Sequence, residues 1–162
     1  LAVGVFKEQE EIDMGEKRCC PVTAPKKILL AKDSSEYSEA ALREALNLAK
    51  ACSTRLYVIS VVEINPEYET LAPQLVKKAE EDAEHLLESV KDCVETEGIE
   101  CEIMVHEGEE PDQFIVEEAE KKQGDMIVMG RHGRKGLRRL LMGSVTAKVI
   151  GQTPCSVLVV KE

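Results

Sequence analysis

An open α/β fold is what the sequence predicts: five parallel strands in one sheet, with helices on both faces. Three observations predict it. Short apolar runs recur at residues 28–31, 56–62, 101–105, 126–129 and 156–160. Several of these runs are continuous rather than alternating, which is the pattern of strands buried on both faces of a parallel sheet. Segments with apolar residues at helical spacing lie between them, giving the order β-α-β-α-β-α-β-α-β. Strict alternation implies parallel strands joined by crossover helices. The chain's 162 residues make one domain, long enough to build a core without disulfides or metal.

Residues 1–25 are charged, close on Pro21-Val22-Thr23-Ala24-Pro25 and hold no sustained period. They are expected to form a loosely held N-terminal extension, with the folded domain over residues 26–162. The apolar start is too short for a secretory leader, and Glu8, Glu10, Glu11, Asp13 and Glu16 follow it, so the chain reads as cytoplasmic. After the first run, Ala41, Leu42, Ala45, Leu46, Leu48 and Ala49 fall at helical spacing. Ser35 is a good N-cap for that helix, and Glu36 and Glu39 suit its positive end. Residues 71–97 predict one long helix with Leu75, Ala79, Ala83, Leu86, Leu87, Val90 and Val94 as its apolar stripe, stopped by Gly98. The Glu80-Glu81-Asp82 run reads as its solvated face. A further helix follows Pro111 and ends at Gly124, and the last runs over about residues 144–150 to Gly151.

Six cysteines show neither a C-x-x-C pair nor metal-ligand spacing. In a reducing compartment they are expected as thiols, with Cys52, Cys93, Cys101 and Cys155 as small core residues. Cys19 and Cys20 adjoin Lys17 and Arg18, a setting that can lower a thiol pKa. Net charge is −10, aromatics are 3% and Trp is absent. These values argue against binding nucleic acid or an anionic membrane. No apolar run approaches the ~20 residues of a membrane span.

In sheets of this kind ligands bind beyond the carboxyl ends of the strands, where strand order reverses. The turn after Met129 reads Gly130-Arg131-His132-Gly133-Arg134-Lys135-Gly136, and Gly143-Ser144 opens a helix shortly afterwards. Glycines admit a ligand close to the backbone and allow positive φ, and a helix start offers free N–H groups to an anion. Residues 126–161 contain no acid but seven bases: Arg131, Arg134, Lys135, Arg138, Arg139, Lys148 and Lys161. A positive field beside glycines, in an otherwise acidic chain, is what a phosphate site requires. Neither G-x-x-x-x-G-K-[ST] nor G-x-G-x-x-G occurs.

The spacing Gly130-x2-Gly133-x9-Gly143-Ser144 resembles the nucleotide-binding signature of the universal stress protein family. The continuations Gly143-Ser144-Val145-Thr146 and Thr153-Pro154-Cys155-Ser156-Val157-Leu158-Val159-Val160 are similar to that family. So is the opening Lys27-Ile28-Leu29-Leu30-Ala31-Lys32-Asp33-Ser34-Ser35. The resemblance covers about residues 26–161 and implies a Rossmann-like fold of the adenine nucleotide alpha hydrolase kind. It also implies ATP as ligand, with Mg2+ or Mn2+ bound through the phosphates. By resemblance, Asp33 sits by the ribose or phosphates, and Val61 offers backbone atoms to adenine. Gly130, Arg131, His132 and Gly133 wrap the phosphates, and Gly143, Ser144 and Val145 close them from the helix end. Two departures stand out. Lys32 occupies a place where the family usually has a small or apolar residue, and its amine can reach a phosphate or pair with Asp33. Gly108-Glu109-Glu110-Pro111 has one residue more than the family's Gly-x-Pro.

His132 is expected to contact the ligand rather than act as a base, since no carboxylate lies near it in sequence. His85 reads as a surface residue, and His106 as lining the crevice or packing at its rim. No catalytic residue and no protein metal ligand is assigned. The resemblance implies a nucleotide-dependent switch or binding module in the stress response, with an unidentified protein partner. A slow ATPase or a nucleotidyl- or phosphotransferase in the same pocket is the alternative, and a purely structural dimer a third. A homodimer is expected through residues 156–161, which open on Ser156 and close on Lys161. The resemblance implies that this run ends the family's sheet order as an exposed strand, and its apolar residues make that edge inviting to pair.

Overall fold

The structure, a computed structural model, describes residues 24–133 and 142–161. Five strands form one sheet: β1 Lys27–Ala31, β2 Arg55–Glu63, β3 Cys101–Gly108, β4 Met126–Gly130 and β5 Ser156–Val160. Their order is β3-β2-β1-β4-β5 and every pairing is parallel. Registers such as Leu29 opposite both Tyr57 and Ile127 fix the three central strands.

Side chains alternate across a strand, so the continuous apolar runs divide into two cores. Ile28, Leu30, Leu56, Val58 and Val128 face one side, where α1 (Glu36–Cys52) contributes Ala41, Leu42, Ala45 and Ala49. Leu29, Tyr57, Ile59, Ile127 and Met129 face the other and meet Ile115, Val116, Ala119 and Val149. Several of these side chains, Leu29, Leu30, Leu56 and Ile127 among them, are wholly buried. Each then contributes roughly 1.5–3 kcal/mol over an exposed position.

The long helix predicted over residues 71–97 is α3 Pro73–Thr96, and a short helix that the sequence does not predict, α2 Pro66–Leu71, precedes it. Ala72 between them sits at φ −145°, ψ 57°. Pro73 causes the break, because it lacks an N–H and bars its predecessor from helical geometry, while suiting the first position of a new helix. The predicted stripe is buried only at Leu87, Val90 and Val94, and Leu75 is exposed. At ~1.5 Å per residue, the 24 residues of α3 outrun the eight of β3, so the first turns of the helix overhang the sheet.

Gly98, at φ +75°, follows α3 as the sequence predicts. After α4 (Pro111–Lys121) the left-handed residue is Gln123 at φ 54°, not Gly124. Helix α5 (Ser144–Gln152) passes through Gly151 and stops at Thr153, whose extended ψ of 141° is imposed by Pro154. Cys93 is exposed on α3, against its expected core place, because the buried stripe of that helix runs through Val90 and Val94. Cys52, Cys101 and Cys155 are half-buried. Desolvation pushes the Cys101 thiol up to about 11. Cys19 and Cys20 lie outside the described residues. Among the described residues no helix is long and apolar enough to cross a membrane.

Candidate functional site

Strand order reverses between β1 and β4, so the crevice beyond their carboxyl ends is where this topology places a ligand. Two segments meet there: the turn from β1 into α1, and the glycine turn leaving β4.

The first segment is built around Asp33. The carboxylate Oδ1 accepts the Ser35 N–H at 3.0 Å and the Ser35 hydroxyl at 2.5 Å. Ser35 Oγ in turn accepts the Ser38 N–H at 3.2 Å, the N-cap bond expected of it. The cap of α1 and the orientation of Asp33 are therefore one construction. The other carboxylate oxygen, Oδ2, faces the second segment. A β-carbon built on Gly133 would lie 3.1 Å from it.

The second segment begins at Gly130, which is buried at the end of β4. A β-carbon there would come within 2.7–2.9 Å of Tyr37 on α1. Gly130 thus lets β4 pass beneath α1, and its own surroundings are packing rather than crevice. Arg131 donates its N–H to the Val160 carbonyl of β5 and accepts the Gly143 N–H, both at 2.9 Å. His132 is half-buried, its ring 5.0 Å from that of Tyr37. Gly133 is exposed. Among the described residues Gly98 is the glycine with positive φ. Gly133 and Gly143 are therefore explained by close approach and not by left-handed backbone: a β-carbon on Gly143 would meet the Arg131 carbonyl at 3.1 Å and His132 Cα at 3.3 Å.

Gly143 is the N-cap of α5 and makes no side-chain cap bond. The first-turn N–H groups of a helix have no partner within it, and here they start at Ser144, which is exposed. Val145 is half-buried, packed on the α4–α5 core. Val61 sits one strand further out, two residues past the Ile59–Ala31 pair and opposite His106 on β3. The structure thus brings together Asp33, Arg131, His132, Gly133 and Gly143, with Ser144 and Val145 following directly. Val61 lies beside the Asp33 turn rather than against the glycine turn.

Several contributors escape the sequence reading. The buried Thr146 donates its hydroxyl to the Gly130 carbonyl at 3.0 Å, pinning the strand end to α5. In sequence it stands in the family-like run Gly143-Ser144-Val145-Thr146, which gives it no role. Tyr37 gives no local signal, since its contacts with Gly130 and His132 are tertiary. Lys148, counted in the positive field, is instead paired with Asp112 at 3.3 Å and Glu110 at 3.6 Å. The hydrogen bond to Asp112 raises its pKa further, and the pair ties α5 to α4. Arg134, Lys135, Arg138 and Arg139 lie outside the described residues. His106 stacks on Phe114 at 5.3 Å and lies 3.5 Å from the buried Glu118, a rim packing role. A hollow of about 400 Å3 lined by Ala119, Gly124, Pro154 and Cys155 lies at the amino end of the sheet, away from all these groups.

Comparison with known proteins follows the same lines. Residues 25–161 match the profile of the universal stress protein family. A universal stress protein of Methanocaldococcus jannaschii is 39% identical over 145 residues, 85% of this chain and 82% of that one. Another from Synechocystis is 32% identical over 150 residues, 83% of this chain and 97% of that one. Among solved structures, the protein MJ0577 is similar with TM-score 0.80 and 32% identity, covering 86% of this chain and 98% of that one. UspA of Lactobacillus plantarum is similar with TM-score 0.76 and 26% identity, covering 84% and 97%. A universal stress protein solved in complex with cAMP shares the fold at TM-score 0.62 and 24% identity.

Proposed function

The chain belongs to the universal stress protein family, and from that premise we propose that it binds ATP across the carboxyl ends of β1 and β4 and acts as a nucleotide-dependent switch or binding module in the stress response. One observation carries the reading. The Asp33 carboxylate, the bare backbone of Gly133 and the uncapped start of α5 converge on one crevice, although they come from distant parts of the sequence.

Their chemistries are complementary to different parts of a nucleotide. A carboxylate repels phosphate oxygens, so Asp33 accepts from ribose hydroxyls or faces a cation carried by the phosphates. Gly133, Ser144 and Val145 offer backbone N–H groups, which with the helix dipole suit the phosphates. Arg131 and His132 border the same turn, and Gly143 leaves room for it to close on α5. Val61 presents backbone atoms of β2 toward the adenine side. Gly130 acts one step back, by letting the turn leave β4 close against Tyr37.

The donor set favours a Mg2+ or Mn2+ ion held mainly by the nucleotide's own oxygens, with Asp33 the carboxylate on hand. Hard divalent ions keep such phosphate and water ligands readily. Two copies of the chain pair along β5, whose outer edge is unpaired among the described residues.

Mass spectrometry of small molecules released from protein purified without added nucleotide tests the reading. ATP or its adenine-nucleotide products are expected. A chain that releases none, and takes up none when ATP is supplied, contradicts it.

A further inference from the structure

Lys32 follows β1 directly and its side chain is wholly buried. An ammonium ion is expensive to bury unless every donor is satisfied. The start of a helix, where the dipole is positive, is the less favourable end for it. Here the amine lies at the start of α1 and has three acceptors. Nζ donates to the Asp33 carbonyl at 2.6 Å and to Ser38 Oγ at 3.2 Å, and pairs with Glu39 Oε1 at 2.5 Å. An ammonium has three N–H donors, so the set is complete. The amine turns to the carbonyl of Asp33 rather than to its carboxylate.

The consequence falls on Asp33. Its carbonyl is held by Lys32 and lies 2.6 Å from the Ser38 hydroxyl. Its Oδ1 is held by Ser35, and Oδ2 is thereby aimed at Gly133. The Lys32 backbone N–H bonds to the Ile59 carbonyl at 2.8 Å, so the anchor is continuous with the central sheet.

We propose that Lys32 is the positioning residue of the site: its buried ammonium fixes the turn that aims the Asp33 carboxylate at the glycine turn, and so sets nucleotide affinity without touching nucleotide. This inference rests on the ATP-site reading above.

A double-mutant cycle tests it. ATP is titrated calorimetrically into the wild type, Lys32→Met, Asp33→Asn and the double variant. Amide hydrogen exchange of Ser35 is followed in the ligand-free proteins. Lys32→Met is expected to weaken ATP binding about tenfold, or ~1.4 kcal/mol, and to speed exchange of the Ser35 amide. In the Asp33→Asn background the same change should move affinity by less than about twofold. Glu39→Ala, at a half-exposed carboxylate, carries the test should Lys32→Met fail to fold. Removing its negative charge would tighten anion binding through space, whereas loss of the Lys32 anchor weakens it. Lys32→Met with wild-type affinity, additive losses in the double variant, or tighter binding by Glu39→Ala overturns the proposal. A wild type that takes up no ATP overturns the site reading itself. The Ser35 exchange rates then decide the positioning of Asp33 independently, since they are read without ligand.

Discussion

Asp33 Oδ2 and the unoccupied β-carbon position of Gly133 lie 3.1 Å apart, so the first and fourth strands deliver a carboxylate and a bare stretch of backbone to the same point. Any ligand held by one is within reach of the other, and the order β2-β1-β4 in the sheet is what makes the meeting possible.

Gly130 and Gly133 should separate cleanly on mutation. A β-carbon at Gly130 would press on the Tyr37 backbone at 2.8–2.9 Å, and overpacking of this kind costs about 1–3 kcal/mol. Gly130→Ala is therefore expected to lower the urea midpoint at unchanged m-value. Wild-type stability in that variant would show that α1 yields freely to the strand end.

Ser144→Ala should weaken ATP binding without removing it. The change deletes one hydroxyl bond to a charged group, about 1.5–3 kcal/mol, and leaves the helix N–H groups in place. The N-cap is Gly143, so helix stability should not change. Isothermal titration reads the first effect and thermal melting the second.

The outer edge of β5 should carry the dimer. The Val160 carbonyl faces inward, accepting Arg131 N–H. The backbone groups of Val157 and Val159, out of phase by one residue, face outward. Val159→Pro then removes a donor from the open edge and not from the β4 ladder. Sedimentation at micromolar concentration should give a dimer for the wild type and a monomer for the variant. A monomeric wild type, or a dimeric variant, contradicts the arrangement.

ATP should be held far longer than it is cleaved, with turnover well below the ~10 s⁻¹ median of enzymes. Phosphoryl transfer needs a metal on the terminal phosphates and a group to orient the nucleophile. Residues 126–161 contain no acid, and Asp33 Oδ1 is committed to Ser35. Positive charge that binds ground and transition state alike does not accelerate chemistry. Phosphate release above ~1 s⁻¹ that vanishes in Gly133→Val would favour an enzyme instead.

Strand identity and the parallel sheet were legible because a two-sided sheet writes itself as continuous apolar runs, each splitting between two cores as Leu29 and Leu30 do, whereas the strand order leaves no mark in those runs. Pro73 marks the start of α3 in the sequence, whereas α2 before it, six residues long, is too short to leave an apolar period. Other features have no local trace. Leu75 is as apolar as Leu87, and only the reach of α3 beyond the sheet decides that one is exposed and the other buried. The glycine spacing marks the site, yet it does not reveal that Gly130 serves packing against Tyr37 while Gly133 faces Asp33. Nor does charge counting show that Lys148 is spent on Asp112, or that Lys32 turns inward.

Calorimetric titration of ATP into the wild type and Gly133→Val, side by side, shows whether nucleotide lies against the glycine turn. Gly133 is exposed and its φ lies outside the left-handed region, so the backbone tolerates valine, while its β-carbon presses on Asp33 Oδ2 at 3.1 Å and its branches fill the crevice where the phosphates would lie. The wild type is expected to bind one ATP per chain. The variant should lose at least ~100-fold in affinity, about 2.7 kcal/mol, while its circular dichroism stays that of the wild type and it still melts cooperatively. Equal affinity in the two proteins would place the nucleotide elsewhere and contradict the account.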